Sequence, residues 1–292
     1  MADDKHDIDS ATGTPLKGHV WDGIRELDTP LPRWWLWIFY ATIAWSVGYW
    51  VVYPSWPLFT SYSKGVLGWQ SRAAVVTDLA ELKAQRGPLM DKLAAATLDQ
   101  IAADPQMLDF ARAQGRVVFR DNCAACHGAG GGGGRGYPNL NDDDWLFGGK
   151  LEQIANTIRH GSHAGDKKGH DVTMPAFGRD GMLKRAEIET VADYARSLSG
   201  LAVDPKADLA AGRKIFAENC VICHGDAGKG DRERGAPNLT DAIWLYGPEK
   251  ATIIEGLWNG RGGVMPAWAG RLDETSIKAV AVYVHTLGGG EK

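Results

Sequence analysis

The sequence predicts a mainly α-helical protein, with one N-terminal transmembrane helix followed by two small helical domains in tandem. Three observations predict it. Residues Trp34 to Tyr53 form a run of 20 without a charge. The pattern C-x-x-C-H occurs twice, at Cys123-Ala124-Ala125-Cys126-His127 and Cys220-Val221-Ile222-Cys223-His224. Around these pentads other residues repeat in the same order. With 292 residues the chain has room for more than one domain, and with a net charge of −4 and no strongly basic region in either repeat, nucleic acid is not an expected partner.

Taken from the N-terminus, residues 1–33 are a polar leader expected to lie in the cytoplasm. The uncharged run 34–53 follows, and at about 1.5 Å per residue it spans roughly 30 Å, the hydrocarbon thickness of a bilayer. Trp34, Trp35 and Trp37 crowd one end, and Tyr49, Trp50, Tyr53 and Trp56 the other. That is the distribution of interfacial aromatic belts. A cleaved signal peptide fits poorly, because the leader is long and polar and no small-residue cleavage site follows. Residues 54–107 are a spacer, with a helical, Ala- and Leu-rich stretch from Leu67 to Ala103 expected to break at Gly87-Pro88.

The repeat defines two domains, 108–200 and 201–292. Gly115 and Phe119 align with Gly212 and Phe216 at an offset of 97. Pro138-Asn139-Leu140 and Trp145-Leu146 align with Pro237-Asn238-Leu239 and Trp244-Leu245 at 99. Met174-Pro175-Ala176-Phe177 aligns with Met265-Pro266-Ala267-Trp268 at 91, and Val191, Tyr194 and Leu198 with Val280, Tyr283 and Leu287 at 89. The falling offset puts a longer loop in the first copy, around His160 to Thr173. Asp104-Pro105 and Asp204-Pro205 read as helix starts. In each copy a glycine and an aromatic residue four positions on share one helix face. The glycine permits close approach of another helix, expected to be the last one of its own copy.

The pentads account for all 4 cysteines. Such a pentad attaches a haem through two thioethers, while the adjacent histidine supplies an axial nitrogen. Two covalently bound haem c groups are therefore predicted, on Cys123 and Cys126 with His127, and on Cys220 and Cys223 with His224. A single zinc ribbon needs its cysteine pairs about 15–20 residues apart, and the second pair begins 97 positions after the first. Thiol–disulfide exchange leaves both histidines unexplained. The glycine run 130–134 follows a pentad and not a strand, so it lacks the context of a phosphate loop.

The helices and pentads together resemble the class I cytochrome c fold over roughly residues 108–200 and 205–290. Met174 and Met265 each open a Met-Pro-Ala-aromatic segment similar to the methionine-ligand loop of that family, whereas Met107 and Met182 read as core filler. His160, His163 and His170 in the extra loop offer a substitute for Met174, but on a polar loop they read as solvated. His285 reads as a surface or packing residue.

The leader Trp21-Asp22-Gly23-Ile24-Arg25-Glu26-Leu27-Asp28-Thr29-Pro30-Leu31-Pro32-Arg33-Trp34-Trp35, together with one anchor and two pentads, resembles the dihaem subunit (CcoP or FixP) of cbb3-type cytochrome c oxidases. The resemblance implies an electron-transfer subunit without a catalytic site of its own. It would accept electrons from a cytochrome c and pass them through a monohaem cytochrome c subunit to the haem–copper catalytic subunit. It pairs His127 with Met174 and His224 with Met265 as axial ligands. It also implies a bacterial inner membrane; because covalent c-type haem is attached on the periplasmic side in bacteria, the pentads put the N-terminus of this single-pass chain in the cytoplasm and both haem domains in the periplasm. A free-standing membrane-anchored dihaem shuttle would not need the leader. A dihaem peroxidase would need one iron with an open site, which a methionine in both copies opposes.

Overall fold

In a computed structural model residues 7–291 are described, and the chain divides into two compact units, Met1–Gln85 and Arg86–Lys292. Residues 1–6 of the leader and residue 292 lie outside the described part.

In the first unit the leader holds an antiparallel hairpin, β1 (Leu16–Trp21) and β2 (Ile24–Leu27). Asp22 and Gly23 make its turn with φ of 45° and 83°. Two-residue hairpin loops need positive φ at both positions, and Asp-Gly is a favoured pair for it. No strand is expected in a polar leader, although Asp-Gly between Trp21 and Ile24 carries the signal for this hairpin. Helix α1 (Arg33–Val52) follows. It is long and apolar enough to cross a membrane, and none of its residues is buried in the protein. Helix α2 (Ser71–Ala95) runs on through Gly87-Pro88, so the expected break is absent. Proline removes one backbone bond and crowds the carbonyl four residues back, but the strong helix formers on both sides carry the helix past it.

Among the described residues the regular elements of the second unit are all helices, separated by long loops: the end of α2, then α3 (Leu98–Ala103), α4 (Pro105–Asn122), α5 (Ala124–His127), α6 (Leu151–His160), α7 (Arg185–Leu198), α8 (Leu209–Asn219), α9 (Val221–His224), α10 (Lys250–Asn259) and α11 (Glu274–His285). Thr97 and Gln100 form a reciprocal cap on α3. Asp104 caps α4 ahead of Pro105, as the sequence indicates. In the second copy Asp208, not Asp204, is the cap.

The packing departs from the sequence repeat. Helix α4 packs on α11, and α7 packs on α8, so each copy's first helix crosses the last helix of the other copy. A Cβ on Gly115 would lie 2.1 Å from the Ala279 carbonyl oxygen and 2.7 Å from Tyr283 Cβ. A Cβ on Gly212 would lie 2.7 Å from Tyr194 Cβ. Glycine is needed at both positions, as expected, but the partner helix is exchanged. Beside each glycine an aromatic pair closes the crossing, Phe119–Tyr283 and Tyr194–Phe216, each with ring centroids 5.4 Å apart.

Two cores result. One joins α3, α4, α6 and α11 around Phe119, Ile154, Ile158, Ile277 and Val280, with Leu93, Leu98 and Ile101 from the expected spacer fully enclosed. The other joins α7, α8 and α10 around Phe177, Ile188, Val191, Phe216 and Leu257. Each fully buried side chain of this size contributes about 1.5–3 kcal/mol. Lys278 on α11 donates to the Ala94 and Ala96 carbonyls at 2.8 and 2.7 Å, tying the end of α2 to the first core.

Candidate redox-cofactor site

Cys123 and Cys220 are the C-terminal caps of α4 and α8, and one further turn, α5 or α9, carries the second cysteine and the histidine. Each pentad therefore sits on a helix end fixed by a glycine crossing. The four cysteines are unpaired. Burial, reinforced by the neighbouring Cys126 or Cys223, pushes the Cys123 and Cys220 thiols up to about 11. Thiol–disulfide exchange needs a depressed thiol pKa, so the environment opposes that chemistry.

Both histidines are oriented from behind. His127 Nδ1 lies 3.1 Å from the Pro138 carbonyl oxygen, and His224 Nδ1 lies 3.0 Å from that of Pro237. A carbonyl can only accept, so Nδ1 carries the proton and Nε2 keeps its lone pair, the tautomer a metal ligand requires. Burial also lowers the pKa of His224, favouring the neutral ring. The glycine loops turn back on the same histidines: Gly133 N–H donates to the His127 carbonyl at 2.7 Å, and Gly230 N–H to that of His224 at 2.9 Å. The proline carbonyls were visible in the sequence as a matched Pro-Asn-Leu triplet, but nothing there assigned them this part.

The two methionines do not stay with their own copies. Met265 packs into the core that holds Cys123 and Phe119, whereas Met174 packs into the core that holds Cys220 and Phe216. Backbone pairing holds them there. Ser162 and Met265 exchange two hydrogen bonds of 2.9 Å, and Met174 and Arg261 pair likewise at 2.9 and 3.2 Å. Gly161 and Gly260 make these approaches possible, since a Cβ on either would lie 2.3 or 2.6 Å from the facing methionine carbonyl. The pairing implied by the resemblance, each histidine with the methionine of its own copy, is therefore not the one the packing brings together.

The loop histidines are engaged elsewhere. His160 Nδ1 is 2.7 Å from Asp166, His163 Nδ1 is 2.8 Å from the Gly263 carbonyl, and His170 Nε2 is 3.0 Å from the Thr157 hydroxyl. His170 also stacks on Phe147 at 3.7 Å. They are not simply solvated; they fasten the crossover loop. His285 bonds the Glu291 carbonyl at 2.7 Å, a packing contact. Met107 is core filler as expected, but Met182 is 54% exposed.

Both pentads and both methionines line one continuous cavity of about 920 Å³, walled mainly by apolar side chains. Trp244 Nε1 is buried there without a hydrogen-bond partner, while its counterpart Trp145 donates to the Gly289 carbonyl at 2.6 Å. Arg135 and Arg261 line the same wall, held by the Thr252 hydroxyl at 3.0 Å and the Thr252 carbonyl at 3.1 Å. An apolar slot lined by thiols, unprotonated imidazole nitrogens, an orphaned N–H and two arginines fits haem, a flat macrocycle with two carboxylates.

Comparison with known families agrees with this chemistry. Residues 13–60 match the N-terminal domain of cytochrome oxidase-cbb3, FixP. Residues 110–194 and 207–284 each match cytochrome c oxidase, cbb3-type, subunit III. A cbb3-type cytochrome c oxidase subunit FixP from a Bradyrhizobium species is 61% identical over 99% of both chains. The CcoP subunits of an Azospirillum species and of Cereibacter sphaeroides are 50% and 49% identical, over 97% and 95% of this chain and 98% and 96% of theirs. The tandem cytochrome c units and the apolar N-terminal helix thus have one common origin: the chain belongs to the FixP/CcoP family of cbb3-type cytochrome c oxidase subunits.

Proposed function

We propose that this chain is the dihaem electron-transfer subunit of its oxidase. One haem c is attached to Cys123 and Cys126 with His127 and Met265 as axial ligands, the other to Cys220 and Cys223 with His224 and Met174. The observation that carries this assignment is the seating of each methionine in the core of the opposite pentad. When bound, a His/Met-ligated haem supplies one-electron chemistry at raised potential with no vacant coordination site.

The chain's own residues set the conditions for that chemistry. Pro138 and Pro237 hold the imidazoles in the ligating tautomer. The paired backbones at Ser162 and Arg261 fix the methionines, and rigid ligation keeps reorganisation small. A cytochrome c delivers electrons to the chain, which passes them to the monohaem subunit and so to the haem–copper subunit where oxygen is reduced. Helix α1 anchors the chain in the bacterial inner membrane with the leader in the cytoplasm and the pentads in the periplasm, where c-type haem is attached.

Gentle solubilisation of membranes followed by identification of copurifying chains tests the reading. A haem–copper subunit and a monohaem cytochrome c should accompany this chain. Its isolation alone, with both haems intact, would instead favour a free-standing shuttle.

A further inference from the structure

The C-terminal end of α1 is closed in a way that a helix emerging into water does not need. A helix leaves its last four carbonyls without internal partners. Here all four are satisfied by the chain that follows. Tyr53 N–H donates to Tyr49 O at 2.8 Å, the Ser55 hydroxyl to Trp50 O at 3.1 Å, Val66 N–H to Val51 O at 3.0 Å and Leu67 N–H to Val52 O at 3.1 Å. The return is tight enough to need a glycine: Gly65 has φ of 68°, and a Cβ there would lie 2.4 Å from Val52 O.

Between these caps the chain makes a small hairpin. Pro57 bridges Tyr62, Leu58 N–H donates to Ser61 O at 2.7 Å, and Trp56 and Ser63 bond one another through backbone and hydroxyl. Its outward side chains, Trp56, Leu58, Phe59 and Tyr62, are all more than half exposed. Trp56 also meets Trp50 of the helix edge-on at 4.8 Å. No charge occurs from residue 34 to residue 63, so the uncharged stretch outlasts the helix by 11 residues before Lys64 ends it.

Unsatisfied carbonyls are tolerated in water and costly in hydrocarbon, and aromatic residues concentrate where hydrocarbon meets headgroups. We propose that the hairpin 54–63 is a membrane-inserted clamp: Trp56, Leu58 and Phe59 enter the lipid of the leaflet at the C-terminal end of α1, and Lys64 reaches the headgroups. The occupant of this surface is lipid. The surface is continuous with that of the span and shares its chemistry, and the self-capped helix end removes the need for water. The proposal rests on the reading of α1 as a span.

The test uses the intact oxidase reconstituted in vesicles of phosphatidylcholine and phosphatidylglycerol. Because the native cysteines belong to the pentads, a spin label can be placed at Phe59→Cys, with Ala44→Cys as the mid-helix reference and Asp78→Cys as the reference beyond the clamp. Collision rates with oxygen and with a water-soluble nickel chelate are then compared. At position 59 the oxygen-to-nickel ratio should be several-fold higher than at position 78. Nickel access at 59 equal to that at 78 would overturn the proposal, as would low access to both reagents, which would mean that a protein subunit covers the tip. If position 44 is itself open to nickel, the span reading fails, a result distinct from failure at position 59 alone.

Discussion

Ser162 and Met265 exchange a pair of 2.9 Å backbone hydrogen bonds, so a residue just past α6 in the first copy fixes the position of the methionine from the second. Met174 and Arg261 repeat the arrangement in reverse. The crossover points are the two chain segments around 162–174 and 261–265, and they exchange both the methionine packed beside each pentad and the closing helix.

Replacing Met265 with His is therefore expected to lower the midpoint potential of the haem on Cys123 and Cys126 by about a hundred millivolts or more, within the ~0.8 V that axial ligation spans. Met174→His should do the same to the haem on Cys220 and Cys223. Potentiometry gives the shift. The assignment comes from nuclear Overhauser contacts in the ferrous protein, where the Met265 methyl should connect to the haem whose thioether protons belong to Cys123 and Cys126. Contacts to the other haem would restore the within-copy pairing.

Adding a methyl at Gly115 meets backbone and not a flexible side chain, with Ala279 O only 2.1 Å away. Gly115→Ala is expected to cost about 3 kcal/mol and to disturb the spectrum of the first haem before that of the second. Denaturant unfolding followed at the haem absorption bands and by circular dichroism checks both parts.

Lys250 on α10 reaches Asp193 on α7 at 2.7 Å, and the other carboxylate oxygen of Asp193 is buried without a partner. Lys250→Met would leave that carboxylate uncompensated. The expected loss is about 2–3 kcal/mol, below the ~3–5 kcal/mol of a fully enclosed pair because the Lys250 side chain is 40% exposed. Lys250→Arg should recover part of it. A Lys250→Met protein as stable as the unaltered one in urea would show that the pair contributes nothing.

Asp144 has its pKa raised to about 6 by burial first and then by Asp241 and Asp142. A carboxyl whose folded pKa lies above its unfolded value of 3.8 binds its proton more tightly in the native state. Its contribution is present below the unfolded pKa and is lost as pH rises through about 6. Asp144→Asn is thus expected to raise the melting temperature more at pH 7.5 than at pH 5, a pH inside the window where the unfolded carboxyl is already ionised and the native one is still mostly protonated. Melting curves at the two pH values decide it, and an equal effect at both would exclude the charge as the cause.

The sequence made the chemistry legible because the pentads, the methionine segments and the uncharged run are local patterns, each tied to one local requirement. The glycines at 115 and 212 were legible as close-approach positions too. What the residues could not display is which of two nearly equivalent partners each glycine meets. Tyr194 and Tyr283 sit in matched helices, so both pairings satisfy the same pattern, while the contacts that accompany the exchange, His163 with Gly263 and Gly161 against Met265, join residues far apart in the sequence. The leader hairpin was missed for a different reason: residues 1–33 read as a polar leader with no element assigned, and the Asp22-Gly23 turn signal went unused.

Because the chain leaves the ribosome N-terminus first, the exchange sets an order of assembly. The first pentad, which ends at His127, is complete 138 residues before Met265 and longer still before α11, both of which pack against its core, and such distant contacts form slowly. The core around Cys220 and Phe216 has its full set of parts sooner, once α10 has been made, since α7 and Met174 precede it in the chain. On the proposed ligation, the haem site encoded first is thus the last to be closed by the chain's own residues.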